Sequence, residues 1–285
     1  MIKPCVTAIV ACTLCVSGGC GETFGPRPAP LFTTPLSING EPVGRAVIDT
    51  GGGYEVILQS DFGLNVVDSA RVLAFGGSEI VGVTEGFPYV AGGWAANASS
   101  ALIGVSVCDC NGLGFEFFRN TGAVLLLDFS DAHATFVATV PQGGVTIPFA
   151  APPRELSNFH TSFVEVEVSG GGVTRCVSGL LDTGTNATVI RRGLVGGDAS
   201  LTSPRSAVTV YEPHLGTVAL HAALFDTEGL PDIIIGTDVL GAWSDRWYFS
   251  YRSDGGEITA FPRDQVVSVG STQDRRSACG DPTVR

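Results

Sequence analysis

The chain has 285 residues, of which 44% are hydrophobic and 15% charged, and its formal net charge is −12. This composition can bury the core of one large or two ordinary domains, which argues against disorder as the main state. The acidic excess argues against sequence-independent nucleic-acid binding, because such binding neutralises phosphates with Lys and Arg. Abundant glycine and proline, together with many Val and Thr, favour strands and turns, so an all-β chain is predicted.

The amino terminus is typical of an export signal. Lys3 precedes an apolar run from Val6 to Val16, and small residues follow that run. The run is too short to span a bilayer as a permanent helix. We therefore predict a signal peptide at 1–19 and a tether at 20–30. Cys20 resembles the lipid-accepting cysteine of bacterial lipoproteins, which predicts attachment to the cell envelope; cleavage and release of a secreted chain is the alternative.

Cysteine usage bears on disulfides and on metal binding. Removal of residues 1–19 would leave five cysteines, which are Cys20, Cys108, Cys110, Cys176 and Cys279. In an oxidising compartment an even number favours disulfides, and four cysteines remain if Cys20 carries lipid. The pairing stays open. The four histidines are scattered away from the cysteines, so neither a metal site nor a cofactor is expected.

One pattern occurs twice in the chain with matched internal spacing. Apolar residues precede Asp49-Thr50-Gly51 and again precede Asp182-Thr183-Gly184, and a Val-Ile pair begins seven residues after each Asp. Each copy is predicted as a strand, a tight turn and a second strand. Further on, an apolar segment ends at Gly104, 55 positions after the first Asp, and another ends at Gly236, 54 positions after the second. The chain is thus predicted to contain an internal duplication.

Each repeat closes with a predicted β-hairpin, in which two apolar runs flank a turn. The hairpins are 124–129 with 134–137 and 247–251 with 258–261. The predicted lobes are 31–140 and 147–263, joined by a linker at 141–146 and followed by a tail at 264–285. The segment 108–122 has no counterpart in the second repeat by this match, and it is predicted to be an insertion in the first lobe.

These residues resemble the pepsin and retropepsin superfamily, in which each lobe contributes one Asp-Thr-Gly turn threaded by an apolar-apolar-Gly segment. The likeness spans nearly all of the predicted mature chain. Lobe size and the segment 235–240 are closer to the compact retropepsin-like bacterial proteins than to classical pepsins. The resemblance implies an all-β bilobal acid-protease fold, with two similar barrel-like lobes related by a pseudo-twofold axis and a cleft between them.

The resemblance also implies an aspartic endopeptidase with Asp49 and Asp182 as its catalytic pair. Two carboxyl groups facing each other cannot both ionise cheaply, so the pair would share one proton, as it does in pepsin. A water between them would attack the peptide carbonyl directly. The substrate would be an extended peptide or protein in the cleft between the lobes, and the chain is expected to be monomeric.

The neighbours of the two acids carry implied supporting roles. Thr50 and Thr183 would exchange hydroxyl-to-backbone bonds across the interface, and Gly51 and Gly184 would permit the tight turns. The resemblance gives Thr185 the hydroxyl position after the motif, a position that the first copy leaves to a glycine.

Residue 52 is that glycine, and so the first turn lacks one possible hydrogen bond to its acid. This departure favours the alternative function, a catalytically idle two-lobe lipoprotein that binds a peptide or an envelope partner.

A flap over the cleft is predicted at 74–81 or at 86–90, with an ordinary surface hairpin as the alternative for either segment.

Overall fold

The computed structural model describes residues 8–10, 31–74, 77–105, 110–153, 156, 162–196, 204–252 and 255–261. Cys20, the predicted tether, the predicted tail and all of the predicted signal peptide except 8–10 lie outside these residues. Strands dominate the described chain and form three sheets, one of which is a closed barrel. The predicted all-β, two-lobe, barrel-like fold is therefore confirmed.

The first half of the described chain contains ten strands and one helix. The strands are β1 (Ala8–Val10), β2 (Thr33–Ile38), β3 (Glu41–Asp49), β4 (Val56–Leu58), β5 (Val66–Ala74), β6 (Gly77–Thr84), β7 (Phe87–Ala91), β8 (Trp94–Ala98), β9 (Leu102–Ile103) and β10 (Asn111–Gly114), and helix α1 (Phe115–Thr121) follows them. These strands form one sheet in the order β1-β5-β6-β9-β4-β10-β3-β2-β7-β8.

The remaining elements complete the second lobe and the sheet that joins the lobes. They are β11 (Val124–Asp128), β12 (His133–Val137), β13 (Val145–Pro148), β14 (Phe163–Gly170), β15 (Val173–Leu181), β16 (Val189–Arg191), β17 (Arg205–Glu212), β18 (Gly216–Phe225), β19 (Ile233–Ile235), helix α2 (Thr237–Trp243), β20 (Arg246–Arg252) and β21 (Gly255–Phe261). Strands β14 to β19 close into a barrel in the order β14-β15-β19-β16-β18-β17.

Side-chain alternation explains the barrel. Along β18 the residues Val218, Leu220 and Ala222 are buried, while the residues between them are exposed. This period of two is the pattern of a strand with one face on a core and one on solvent. Strand β19, in contrast, is apolar on both faces, and Ile233–Ile235 is buried throughout.

Both predicted hairpins are present, and the structure joins them into one sheet. Strand β11 pairs antiparallel with β20, with Leu125 opposite Phe249, and the full order is β12-β11-β20-β21-β13. Strand β13 overlaps the predicted linker and pairs with β21. A continuous hydrophobic core runs through both lobes and this sheet, and it includes the fully buried Trp247. The sheet therefore fixes one lobe relative to the other.

The structure corrects the predicted match between the repeats. Strand β10 lies parallel to β3 and antiparallel to β4, and β19 lies parallel to β15 and antiparallel to β16. Helix α1 then follows β10 as α2 follows β19. The prediction that 108–122 is an insertion is wrong, because its described part, 110–122, is the counterpart of β19 and α2. The glycine that corresponds to Gly236 is Gly114, and not Gly104.

Hydrogen bonds support this correspondence. The N–H group of Phe115 donates to the carbonyl of Gly52 at 2.9 Å, and that of Thr237 donates to the carbonyl of Thr185 at 3.0 Å. Each bond thus joins the residue after the glycine to the residue three positions after an acid. The equal spacing of Gly104 and Gly236 misled the prediction, because β9 occupies another place in the first sheet, parallel to β4.

Candidate active site

The two Asp-Thr-Gly turns meet at the interface between the lobes. Asp49 ends β3, and Asp182 directly follows β15. Their carboxyl groups lie close enough to shift each other's pKa, and the two residues are 1% and 0% exposed. The structure thus brings together two acids that are 133 positions apart in the sequence.

Reciprocal threonine bonds hold the turns in register. The hydroxyl of Thr50 donates to the carbonyl of Leu181 at 2.8 Å, and the hydroxyl of Thr183 donates to the carbonyl of Ile48 at 2.6 Å. Each hydroxyl also accepts a bond from the backbone N–H of the other threonine at 3.2 Å. These four buried bonds form the exchange that the family resemblance implied. They relate the turns by an approximate twofold axis.

The glycines of the two motifs allow close approach to the acids. The N–H group of Gly51 donates to Oδ1 of Asp49 at 3.0 Å, and that of Gly184 donates to Oδ1 of Asp182 at 2.7 Å. A Cβ atom on Gly51 would lie 2.7 Å from Cγ of Asp182. Any side chain at this position would therefore displace the opposite acid.

The second oxygens of the two acids have different surroundings. Oδ2 of Asp49 accepts a hydrogen bond of 2.7 Å from the hydroxyl of Tyr54, which is buried. Oδ2 of Asp182 is also buried, and it has no hydrogen-bond partner among the residues that the structure describes. The dyad is thus asymmetric although its turns are duplicated.

Thr185 supports its turn in a different way from the one the resemblance implied. Its hydroxyl donates to the carbonyl of Ala187 at 3.1 Å. The hydrogen bond that it gives to the Asp182 carboxyl comes from its backbone. The side chain of Thr185 therefore stabilises the course of the turn, and its backbone contacts the acid.

Sequence reasoning missed Tyr54. A Cβ atom on Gly52 would lie 2.2 Å from Cε1 of Tyr54 and 2.6 Å from Oδ2 of Asp49. The tyrosine ring thus fills the space that a side chain at position 52 would need. The available signal was the joint occurrence of a glycine three residues after the acid and a hydroxyl-bearing aromatic five residues after it.

Burial raises the pKa of both acids, because a charge is poorly solvated away from water. The pKa of Asp182 lies well above its usual range, and the nearby charge of Asp49 adds to the effect of burial. For Asp49, hydrogen bonds from Asp182, Tyr54 and the Gly51 and Gly52 N–H groups offset part of the rise. The hydrogen bond from Tyr54 is the side-chain contact that favours the ionised form of Asp49.

The β5–β6 hairpin reaches from the first lobe to the second. Leu73 packs against an apolar cluster of the second lobe that includes Leu230, and a Cβ atom on Gly229 would lie 3.0 Å from Cδ2 of Leu73. Of the two predicted flaps, 74–81 contains the end of this hairpin, although residues 75 and 76 lie outside the described residues.

The other flap prediction, 86–90, is wrong. Its residues from Phe87 onward belong to β7, which pairs with β2 on one side and with β8 on the other. Tyr89 points into the core, where it is 2% exposed and donates to Oε1 of Glu55 at 2.9 Å. This segment is therefore a strand within the first lobe's own sheet and core, and not the end of a hairpin over the cleft.

Two of the cysteines in the predicted mature chain lie within the described residues. Cys110 and Cys176 are each disulfide-bonded, while Cys108 and Cys279 lie outside the described residues. Within the described ranges, no group of three or more His, Cys, Asp or Glu side chains is arranged to hold a metal ion. No helix of the described chain is long and apolar enough to cross a membrane.

No protein-family model matches this sequence, and no curated protein matches it. Among solved structures, the chain is similar to the crystal structure of Basic 7S globulin from soybean, with a TM-score of 0.45 and 7% sequence identity. The match covers 80% of this chain and 90% of that chain.

Proposed function

We propose that this chain is an aspartic endopeptidase of the pepsin and retropepsin superfamily that uses Asp49 and Asp182 as its catalytic pair. One observation carries the proposal: two buried carboxyl groups on duplicated turns meet at the interface between the lobes, where reciprocal threonine bonds hold the turns in register. Hydrolysis of an amide by this route needs one carboxylate as a base and one protonated carboxyl as an acid. A pair that shares one proton supplies both.

The asymmetry of the pair supports a division of roles. Ionised Asp49 takes a proton from a water molecule, whose oxygen adds to the peptide carbonyl carbon, while Asp182 gives its proton to the carbonyl oxygen. The resulting diol then collapses: one of its hydroxyls returns a proton to Asp182 as the carbonyl forms again, Asp49 gives the proton that it took from water to the nitrogen, and the carbon–nitrogen bond breaks. The products are a carboxylic acid and an amine. Asp49 is the base in this scheme because Tyr54 stabilises its charged form.

An extended peptide is the proposed substrate. Main-chain groups of a strand-like ligand supply affinity, and alternate side chains enter pockets. The carboxyl pair is almost fully buried, so entry requires an opening between the lobes. The β5–β6 hairpin is the element that we propose to move, because its Leu73 contacts the second lobe. Such lids commonly limit access to buried catalytic groups.

We also propose that the chain is exported and held at the envelope through lipid on Cys20, or secreted. The disulfide-bonded Cys110 and Cys176 support export, because disulfides persist in oxidising compartments.

A second candidate is a catalytically idle protein that binds a peptide or an envelope partner. The observation that favours it is the burial of both acids, which are 1% and 0% exposed. A closed pair of carboxyl groups can also serve as a structural element between two lobes.

A peptide-cleavage assay separates the two candidates. The purified chain is incubated with a mixed peptide library at acid and neutral pH, with and without pepstatin, and the fragments are identified by mass spectrometry. Asp49→Asn and Asp182→Asn should each reduce cleavage by roughly a thousandfold, because each removes one half of the acid–base pair. Asp61→Asn, an exposed acid of the same lobe, is the matched control and should leave cleavage unchanged. Identical fragments from the wild type and both dyad variants would favour the binding protein.

A further inference from the structure

We propose that Tyr54 is a positioning residue for Asp49, supplying the side-chain hydroxyl that position 52 lacks. The inference rests on the proposed function, since it assigns a role within the same carboxyl pair. Its basis is the 2.7 Å hydrogen bond from the Tyr54 hydroxyl to Oδ2 of Asp49. Gly52 is then part of the same arrangement, and not a sign of lost activity.

Three glycines make room for the Tyr54 side chain. A Cβ atom on Gly52 would lie 2.2 Å from Cε1 of the ring, and a Cβ atom on Gly112 would lie 2.7 Å from the hydroxyl. A Cβ atom on Gly114 would lie 2.3 Å from the Tyr54 carbonyl oxygen and 2.8 Å from Cδ2. Tyr54 thus occupies space that a side chain at any of these three positions would need.

Packing fixes the ring in the orientation that delivers the hydroxyl. Tyr54 is 5% exposed and belongs to an apolar cluster of the first lobe with Ile57, Val72 and Leu102. Its backbone also accepts a bond of 3.1 Å from the N–H group of Glu116 in α1. A ring held on both sides loses little further conformational freedom when its hydroxyl binds the carboxylate. The hydroxyl is therefore a preorganised hydrogen-bond donor.

The second lobe shows what the tyrosine adds. The position equivalent to Tyr54 is Ala187, and Oδ2 of Asp182 receives no donor from that side of its turn. The groups that face Asp49 are Asp182, Tyr54, the Gly51 and Gly52 N–H groups and, at longer range, the buried Tyr251. Among them, Tyr54 is the side chain that distinguishes the first acid from the second.

The experiment compares Tyr54→Phe with the matched control Tyr89→Phe. Each substitution removes one buried phenol that donates to a carboxylate of the first lobe, but Tyr89 donates to Glu55 and not to the pair. Two quantities are measured on the full chain: the pH dependence of kcat/KM and the titration of aspartate carboxyl carbons by NMR. Urea unfolding at one pH confirms that both variants are folded.

For Tyr54→Phe, the acid limb of the pH profile and the first titration of the pair should move to higher pH by about one unit, because the ionised form loses a charge-assisted hydrogen bond. Tyr89→Phe should leave both unmoved. If Tyr54→Phe titrates and cleaves as the wild type does, the positioning role is refuted. If the wild type cleaves nothing while the Tyr54→Phe titration still moves, the contact is supported and the proposed hydrolase activity fails.

Discussion

The two candidate active-site turns begin with the same three residues and differ from the fourth onward. Features that depend on the shared Asp-Thr-Gly residues and on the strand order are repeated in both lobes: the threonine exchange, the glycine N–H bond to Oδ1, and the strand and helix that thread each turn. Features that depend on a side chain at Oδ2 are not repeated. The first turn combines Gly52 with Tyr54, and the second combines Thr185 with Ala187.

This difference teaches which parts of the site the fold imposes. Where the turns meet, Gly51 leaves no room for a Cβ atom beside Asp182, and the buried glycine N–H groups and threonine hydroxyls of both turns are paired in the same way. The Oδ2 atoms have different neighbours: the Tyr54 hydroxyl donates to that of Asp49, and no described residue donates to that of Asp182. The lobes therefore hold their acids in matched positions but in unequal electrostatic surroundings.

The largest expected effect concerns the glycines that thread the turns. In Gly114→Ala the new Cβ would lie 2.3 Å from a backbone oxygen, and in Gly236→Ala 2.7 Å from a backbone carbon. Backbone cannot move aside cheaply, so each variant should lose about 3 kcal/mol or more of unfolding free energy in urea.

Two control glycines test the corrected correspondence between the lobes. A Cβ on Gly104 meets nothing within 4 Å, but its φ of +77° should cost about 1–2 kcal/mol for alanine. Gly193 has open space and no positive φ, so alanine there should change stability by less than about 0.5 kcal/mol. A loss at Gly104 as large as at Gly236, with little loss at Gly114, would restore the match that sequence spacing suggested.

Sequence alone predicted much of this site, and particular residues show why it stopped where it did. The duplicated Asp-Thr-Gly motifs predicted the pair and the threonine exchange, because these depend on residues inside a short motif. The sequence indicates the wrong apolar-Gly segment for the first turn, because β9 and β10 both have apolar residues before a glycine. Only the strand pairing shows that Gly114, and not Gly104, lies beside Asp49's turn.

Tyr54 shows a second limit. Position 52 was compared with the family pattern by itself, and its missing hydroxyl suggested a loss. The compensation comes from a side chain two residues further on, and a distance between atoms is needed to recognise it. The sequence also did not predict that the two hairpins join into one sheet, because the pairing between β11 and β20 links residues more than a hundred positions apart.

An effect of intermediate size is expected on the free energy of unfolding, whose pH dependence should differ between variants of the two acids. A buried carboxyl with a raised pKa holds its proton in the folded chain after the unfolded chain has lost it, so stability falls as pH rises from about 4 towards the folded pKa. Asp182→Asn should remove this loss. We expect the variant to be more stable than the wild type at pH 7, by at least about 1 kcal/mol, and no more stable at pH 3.

The pH dependence of stability in Asp49→Asn can be compared with that in Asp182→Asn. The acid that remains in this variant, Asp182, is buried and receives no hydrogen bond at Oδ2 from the part of the chain that the structure describes, so part of the loss of stability with rising pH should persist. The acid that remains in Asp182→Asn is Asp49, which keeps the bonds from Tyr54 and Gly51. Urea unfolding of the three proteins from pH 3 to pH 7.5 measures these differences. Equal pH dependence in both variants would show that the two surroundings are electrostatically alike.

The smallest expected effect is at Thr185, the residue that matches the family pattern most closely. Its hydroxyl donates to the Ala187 carbonyl, and the contact with Asp182 comes from its backbone, which a valine would retain. Thr185→Val should therefore cost about 1 kcal/mol of stability or less and leave the acid limb of the pH profile where it is. Thr185→Ser keeps the hydroxyl and is the control for the lost bond. A shift in the pH profile as large as that of Tyr54→Phe would mean that the Thr185 hydroxyl turns towards the acid during the reaction, and the two lobes would then differ less than their folded geometry indicates.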